Sequence, residues 1–177
     1  LRQLLDIAQR HDLIVLSDDI HADIVLPGHQ HTMLGTFTEE FGDFVHTNLV
    51  TAVAPSKTFN IPGLGLSSLV VPDPLKRRKI LKALELLHIS NNNPFSMVAF
   101  EAAYNGGEAW LDALLGYLEG NRKTAMDFIA ERLPQLSVTN PEGTYLLWLD
   151  CRALGLDDAG LRNFFIQECN LGLSPGI

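Results

Sequence analysis

Apolar positions along the chain fall into two periods, and the change from one to the other lays out an α/β protein. In LRQLLDIAQRHD, Leu1, Leu4, Leu5 and Ala8 share one face, the spacing of an amphipathic helix. The run LIVLSD, Leu13 to Asp18, then reads as a strand. A polar stretch containing HQHTMLG and a short helical candidate around TEEFGDF separate it from a second apolar run, NLVTAVAPS, Asn48 to Ser56. Strand, crossover, strand predicts a parallel pair, and runs this apolar are expected to be covered on both faces. A third run, SSLVVPD, Ser67 to Asp73, follows after only about ten residues, too few for a helical crossover, so it is expected to run antiparallel.

From Pro74 the period lengthens. Leu75, Ile80, Leu81, Leu84 and Leu87 recur at three- and four-residue spacing, with Pro74 favourably placed in the first turn. Asn91 to Asn93 and Pro94 break this helix, and PFSMVAFEAAY forms another that ends at Gly106 and Gly107. A long helix is expected from Glu108 to about Leu133, with Trp110, Leu111, Leu114, Leu115 and Leu118 as its stripe. The remainder reads as strand LSVT, turn NPEG, strand TYLLWLD and helix DDAGLRNFFIQECN, an α+β module with a hairpin. The expected boundary lies at the glycine pair and separates 1–106 from 107–177. Trp110 and Trp148 are assigned to the core on their apolar stripes, and Cys151 and Cys169 to buried packing.

Composition narrows the classes. With 177 residues and 46% hydrophobic content the chain can bury a real core, as one domain or two small ones. A net charge of −8, with no Lys/Arg stripe interleaved with aromatics, disfavours a nucleic-acid partner. The one dense basic run, Lys76 to Lys79, is expected on the solvated face of a helix. Cys151 and Cys169 form neither a CxxC pair nor a disulfide framework, which makes a reducing cytoplasm the default. Neither a long apolar span nor an export leader is visible, so no membrane association is expected. A chain that opens inside a helix reads as a fragment.

In open α/β sheets ligands lie beyond the carboxyl ends of the parallel strands, and two strands here finish with reactive groups, Asp18 and Lys57. Free lysine titrates near ~10.4, and desolvation or a neighbouring cation frees its amine for Schiff-base chemistry. A pyridoxal phosphate site also needs a carboxylate against the pyridine nitrogen, a part Asp18 would play. Singly, a turn aspartate and a solvated loop lysine explain these residues. Their joint position at two strand ends favours the cofactor. A metal site could be drawn from His21, His29 and His31 with Asp18, Asp19 and Asp23, but HQH after LPG reads as an exposed loop, and no metal is expected. A non-catalytic fragment, or a half-protein needing a partner chain, stays open.

The motifs themselves resemble a known family. SDDIH is similar to the aspartate segment, and SKTFNIPGLG to the lysine segment, of fold-type-I pyridoxal phosphate enzymes, the aspartate aminotransferase superfamily. His21, GGEAWLDALLGYLEGNR and PEGTYLLWLDCRALG resemble its MalY/PatB-type branch of cystathionine β-lyases and C-S lyases. The resemblance implies the second half of a mostly parallel large domain followed by an α+β small domain, in a cytoplasmic homodimer acting on an amino acid. It implies that Lys57 forms the Schiff base and moves the substrate Cα proton, and that Asp18 holds the pyridine nitrogen. His21 would contact the cofactor's phenolic oxygen or support Asp18, Ser56 would donate to the phosphate, and Asp19 would be supporting. Gly65 stands where the aminotransferase pattern has a phosphate-binding arginine, which tilts the expected reaction from transamination, the alternative, toward β-elimination.

Overall fold

Nine residues, Arg2–Arg10, form α1 in the computed structural model, which describes residues 1–89 and 93–176. Leu5 and Ala8 are buried, whereas Leu1 and Leu4 of the same expected stripe are exposed. β1 (Val15–Asp18) follows, then a 3₁₀ turn (Leu34–Phe37), α2 (Thr38–Asn48) and β2 (Leu49–Val53). β1 and β2 pair in parallel, Val15 opposite Leu49 and Asp18 opposite Ala52. β3 (Ser68–Val70) completes the sheet antiparallel to β2, in the order β1-β2-β3. Both pairings agree with the apolar runs and the lengths between them.

Leu5, Ala8, Leu34, Phe44, Val45 and Leu49 make the buried core, with Val15, Phe37 and Phe41 packed against it. They cover the sheet face that carries Val15 and Leu49. The expectation of cover on both faces fails at the opposite one, where Leu16 is 64% and Leu69 43% exposed, although Val50 between them is buried. α1 and α2 contribute their apolar residues to a single face, so β1 alternates between inner and outer positions. The strand entrance is tied down by the buried Asn48, whose side chain donates to Asp12 Oδ1 and to the Leu13 carbonyl, both at 3.1 Å.

α4 (Pro74–Leu86) begins where Asp73 accepts hydrogen bonds from the Leu75 and Lys76 amides at 2.7 and 2.8 Å. The Lys76 amide is the main reason that the Asp73 carboxyl titrates below its ordinary range. The basic run is only partly solvated: Lys76 donates to the Thr47 carbonyl at 2.6 Å and Asn48 Oδ1 at 3.0 Å, and Arg77 to the Val71 carbonyl at 3.0 Å. α5 (Pro94–Gly106) is capped by Asn93, which accepts from the Phe95 amide at 3.0 Å; Asn91 and Asn92 of the expected break lie outside the described residues. α6 (Glu108–Arg132) occupies nearly the span that its stripe predicts. Neither α4 nor α6 buries any residue, and Trp110 is 46% exposed rather than core. Their stripes are half-covered: Ile80 and Leu84 of α4, and Leu111, Leu114, Leu115 and Leu118 of α6, are half-buried.

Two compact units divide the chain, Leu1–Leu118 with Glu142–Thr144, and Glu119–Pro141 with the residues from Tyr145 onward; the division falls within α6. In the second unit β4 (Ser137–Thr139) and β5 (Trp148–Asp150) form the expected antiparallel hairpin. α7 (Asp158–Asn163) is capped by Asp157, which accepts from the Gly160 amide at 2.8 Å, and runs into a π-helical turn, Phe164–Glu168. Trp148, Leu161, Phe165 and Ile166 line a cavity of about 320 Å³. Trp148 is 60% exposed, so it too departs from a core assignment. Cys151 is buried as expected, and burial, then the neighbouring Asp150, pushes its thiol pKa up. Cys169 is exposed, because it follows the π-helical turn instead of sitting on a packed face. No described helix is long and apolar enough to cross a membrane.

Candidate functional site

The carboxyl ends of β1 and β2 lie side by side, and each delivers one of the expected groups. Asp18 is the last residue of β1 and sits on the same face as the exposed Leu16. Its Oδ1 accepts from the Ile20 amide at 3.3 Å, and its second oxygen carries no hydrogen bond among the described residues. Asp19 lies on the other side of the backbone and is already committed. Its side chain is 6% exposed, accepts from the Ser17 hydroxyl at 3.0 Å and meets His31 Nε2 at 2.9 Å. The two adjacent carboxylates therefore differ: one is open for a ligand, the other holds the turn.

β2 continues through Ala54, in extended conformation, into the single-turn helix α3 (Pro55–Thr58). Pro55 presets the helical φ at the first position, and the Phe59 amide closes the turn on the Pro55 carbonyl at 2.9 Å. Asn60 ends it with φ +52°, a left-handed conformation that asparagine tolerates, and the Ile61 amide returns to the Ser56 carbonyl at 3.1 Å. This places Ser56 and Lys57, both half-buried, just beyond the end of β2. The Lys57 ammonium makes no hydrogen bond or ion pair among the described residues. At Gly65 a Cβ would meet nothing within 4 Å, so no steric demand keeps a larger side chain from the position.

After Asp18 the chain turns twice, the Ala22 amide bonding the Asp19 carbonyl and the Ile24 amide the His21 carbonyl, both at 3.0 Å. His21 is half-buried within this double turn. Asp23, at its end, accepts from the Thr58 hydroxyl at 3.0 Å, and the Tyr104 hydroxyl reaches the same oxygen at 3.5 Å. Partial burial, and after it Asp23, raises the Tyr104 pKa. The next residues pair with the turn that sequence reading treats only as a hairpin connection. The Leu26 amide bonds the Glu142 carbonyl at 3.0 Å, and the Thr144 amide the Ile24 carbonyl at 2.7 Å. A Cβ at Gly143 would stand 2.8 Å from the Ile24 carbonyl oxygen, so this approach requires glycine. His29 and His31 face different carboxylates, Glu142 at 3.8 Å and Asp19.

Thr58 and Tyr104 carry no mark in the sequence, and Asp23 enters it only as a possible metal ligand. The only signal for Thr58 is its place directly after the lysine; nothing local joins Asp23 to Thr58 or Tyr104, since these contacts cross 35 and 81 positions. The donor set that does assemble suits pyridoxal phosphate. Asp18 offers an uncommitted carboxylate oxygen for a pyridine N–H, and Lys57 a half-buried amine with no competing partner among the described residues.

Comparison with known proteins agrees with this chemistry. The family "Aminotransferase class I and II" matches residues 1–176. Cystathionine beta-lyase PatB of Bacillus subtilis (strain 168) is 40% identical over 176 residues, 99% of this chain and 44% of that protein. A PLP-bound putative aminotransferase from Clostridium difficile 630 is 43% identical with a TM-score of 0.91, over 98% of this chain and 44% of that one. Cystalysin from Treponema denticola, whose crystal structure contains pyridoxal 5'-phosphate, is 31% identical with a TM-score of 0.85, over 96% of this chain and 42% of that one. The chain thus spans less than half the length of these relatives.

Proposed function

Because this chain belongs to the aminotransferase class I and II family, we propose that the protein is a pyridoxal phosphate-dependent C-S β-lyase. Its substrate would be an L-cysteine S-conjugate such as cystathionine, cleaved to a thiol, pyruvate and ammonia. In this reading residues 1–106 belong to the large cofactor-binding domain and 107–177 to the connecting helix and small domain, within a cytoplasmic homodimer. The observation that carries the proposal is the pair of adjacent parallel strands, one ending in Asp18, with one carboxylate oxygen uncommitted, and the other followed by a half-buried lysine, Lys57, that has no partner among the described residues.

Bound pyridoxal phosphate supplies an electron sink for the carbanion left at the substrate Cα. Lys57 would hold the cofactor, and its amine would take the Cα proton. Asp18 keeps a proton on the pyridine nitrogen by offering a negative charge at that position. His21 contacts the phenolic oxygen or supports Asp18, and Ser56 donates to the phosphate. Asp19 keeps the turn in place through Ser17 and His31.

The name of the similar Bacillus protein, a cystathionine beta-lyase, favours elimination, as does Gly65 in place of an arginine. Transamination is the second reading, favoured by the name of the similar Clostridium structure. Products separate the two. The full-length protein given cystathionine should release pyruvate and free thiol with no keto-acid acceptor present; keto-acid formation that depends on an added acceptor would replace the lyase with an aminotransferase.

A further inference from the structure

The lysine turn is anchored at the two residues after Lys57 by groups that the cofactor chemistry does not use. Thr58 is fully buried, and its hydroxyl donates to Asp23 Oδ2 at 3.0 Å, with the Tyr104 hydroxyl 3.5 Å from the same oxygen. Asp23 closes the double turn that begins at Asp18, so one carboxylate links the segment after β1 to the segment after β2. The neighbouring Phe59 is gripped from the other side. Its ring stands edge-on to Tyr104 at 5.5 Å and lies 6.1 Å from the Trp110 ring. At Gly107 a Cβ would fall 2.3 Å from the Phe59 ring, so only glycine leaves room for it.

A helix of one turn closes a single backbone hydrogen bond and is too short to hold its own geometry. A reacting amine displaced by about 1 Å from its productive position loses on the order of 100-fold in rate. Something outside α3 has to fix Lys57, and the Thr58–Asp23 bond with the Phe59 seat is what the structure supplies. We propose that Asp23 is a positioning residue, whose carboxylate holds Thr58 and through it sets Lys57 relative to Asp18. The proposal rests on the reading of Lys57 and Asp18 as the cofactor residues, and it assigns Asp23 no direct contact with substrate or cofactor.

The test uses the full-length protein loaded with pyridoxal phosphate and the variants Thr58→Val, Asp23→Ala, the double variant and Thr58→Ser. Each of the first two should lower kcat about tenfold with KM changed by less than about threefold, the effect of losing one hydrogen bond to a charged group. Both remove the same link, so the double variant should be no slower than the slower single one. Thr58→Ser keeps the hydroxyl and should stay within about twofold of the unaltered protein. Without cofactor, the rate at which a small amine-reactive electrophile labels Lys57, followed by peptide mass spectrometry, should rise in Thr58→Val and Asp23→Ala. If Asp23→Ala does not fold, the Thr58→Val and Thr58→Ser pair decides by the same kcat and labelling criteria. Unchanged kcat and labelling in Thr58→Val, or losses that multiply in the double variant, would overturn the proposal. A Lys57→Ala control separates the two levels. Cofactor still fixed by borohydride in that control sinks the lysine reading, and the positioning role with it. Cofactor lost there while Thr58→Val behaves as unaltered protein sinks the positioning role alone.

Discussion

At the scale of single residues, the two aspartates of SDDIH carry different burdens. Asp18 keeps one carboxylate oxygen open beyond the strand end, whereas Asp19 is 6% exposed and bonded to Ser17 and His31. On the proposed role of Asp18 against the pyridine nitrogen, Asp18→Asn in the full-length protein is expected to lower kcat by about 100-fold or more, the size of losing a preorganised charge in an active site. Asp19→Asn is expected to leave kcat within a few fold and to cost about 1–3 kcal/mol of stability through a damaged buried hydrogen-bond set. Steady-state kinetics and urea unfolding of the two variants check this, and similar kinetic losses in both would refute the division. The separation was legible in the sequence, because neighbouring strand residues point to opposite faces. The contacts of Asp23 were not legible, because its partners come from α3 and α5.

At the scale of elements, local signals set where helices start and stop. Pro74 behind Asp73, Pro94 behind Asn93 and the Gly106–Gly107 pair bound α4 and α5 as their sequence suggests. Which faces these helices bury was not legible: the stripes of α4 and α6 are present, yet neither helix buries a residue. Periodicity reports a helix's capacity to bury a face, and burial needs a partner that the helix does not encode. The short hairpin β4–β5 carries a pH-dependent element of its own. Arg152, through its guanidinium and then its backbone amide, holds the Asp150 carboxyl down at about 2. A carboxyl depressed in the folded state stabilises above its unfolded pKa, near ~3.9, and loses that contribution as pH falls through the folded value. The stability difference between the unaltered protein and Asp150→Asn should therefore be constant above about pH 5, shrink as pH falls toward about 2, and diminish in high salt, since the pair is solvent-facing. Urea titrations across that range check it; a gap that widens as pH falls would contradict it.

At the scale of the whole molecule, the described chain exposes 12522 Å². A single folded chain of this mass exposes about 8500 Å², and two separately folded units about 10,000 Å². Large apolar side chains are among the exposed ones, including Leu16, Leu86, Phe95, Val98 and Tyr117, each more than 60% exposed. The 177 residues produced alone should accordingly bind a hydrophobic dye, associate with rising concentration in sedimentation, and lack a sharp unfolding transition. A monomer with a cooperative transition would contradict this. Sheet order, strand direction and the α/β class were legible, since apolar run length and connection length constrain them. The pairing of Leu26 with Glu142 was not, because nothing local marks a turn as the partner of a loop more than a hundred residues away.

The central claim is that Lys57 is the cofactor lysine, and borohydride reduction of the full-length protein with pyridoxal phosphate tests it most directly. The expected result is a visible absorption band that reduction abolishes, with the cofactor recovered covalently on the peptide containing Lys57 and absent from Lys57→Ala. A colourless full-length protein, or a cofactor fixed on another lysine, would contradict it.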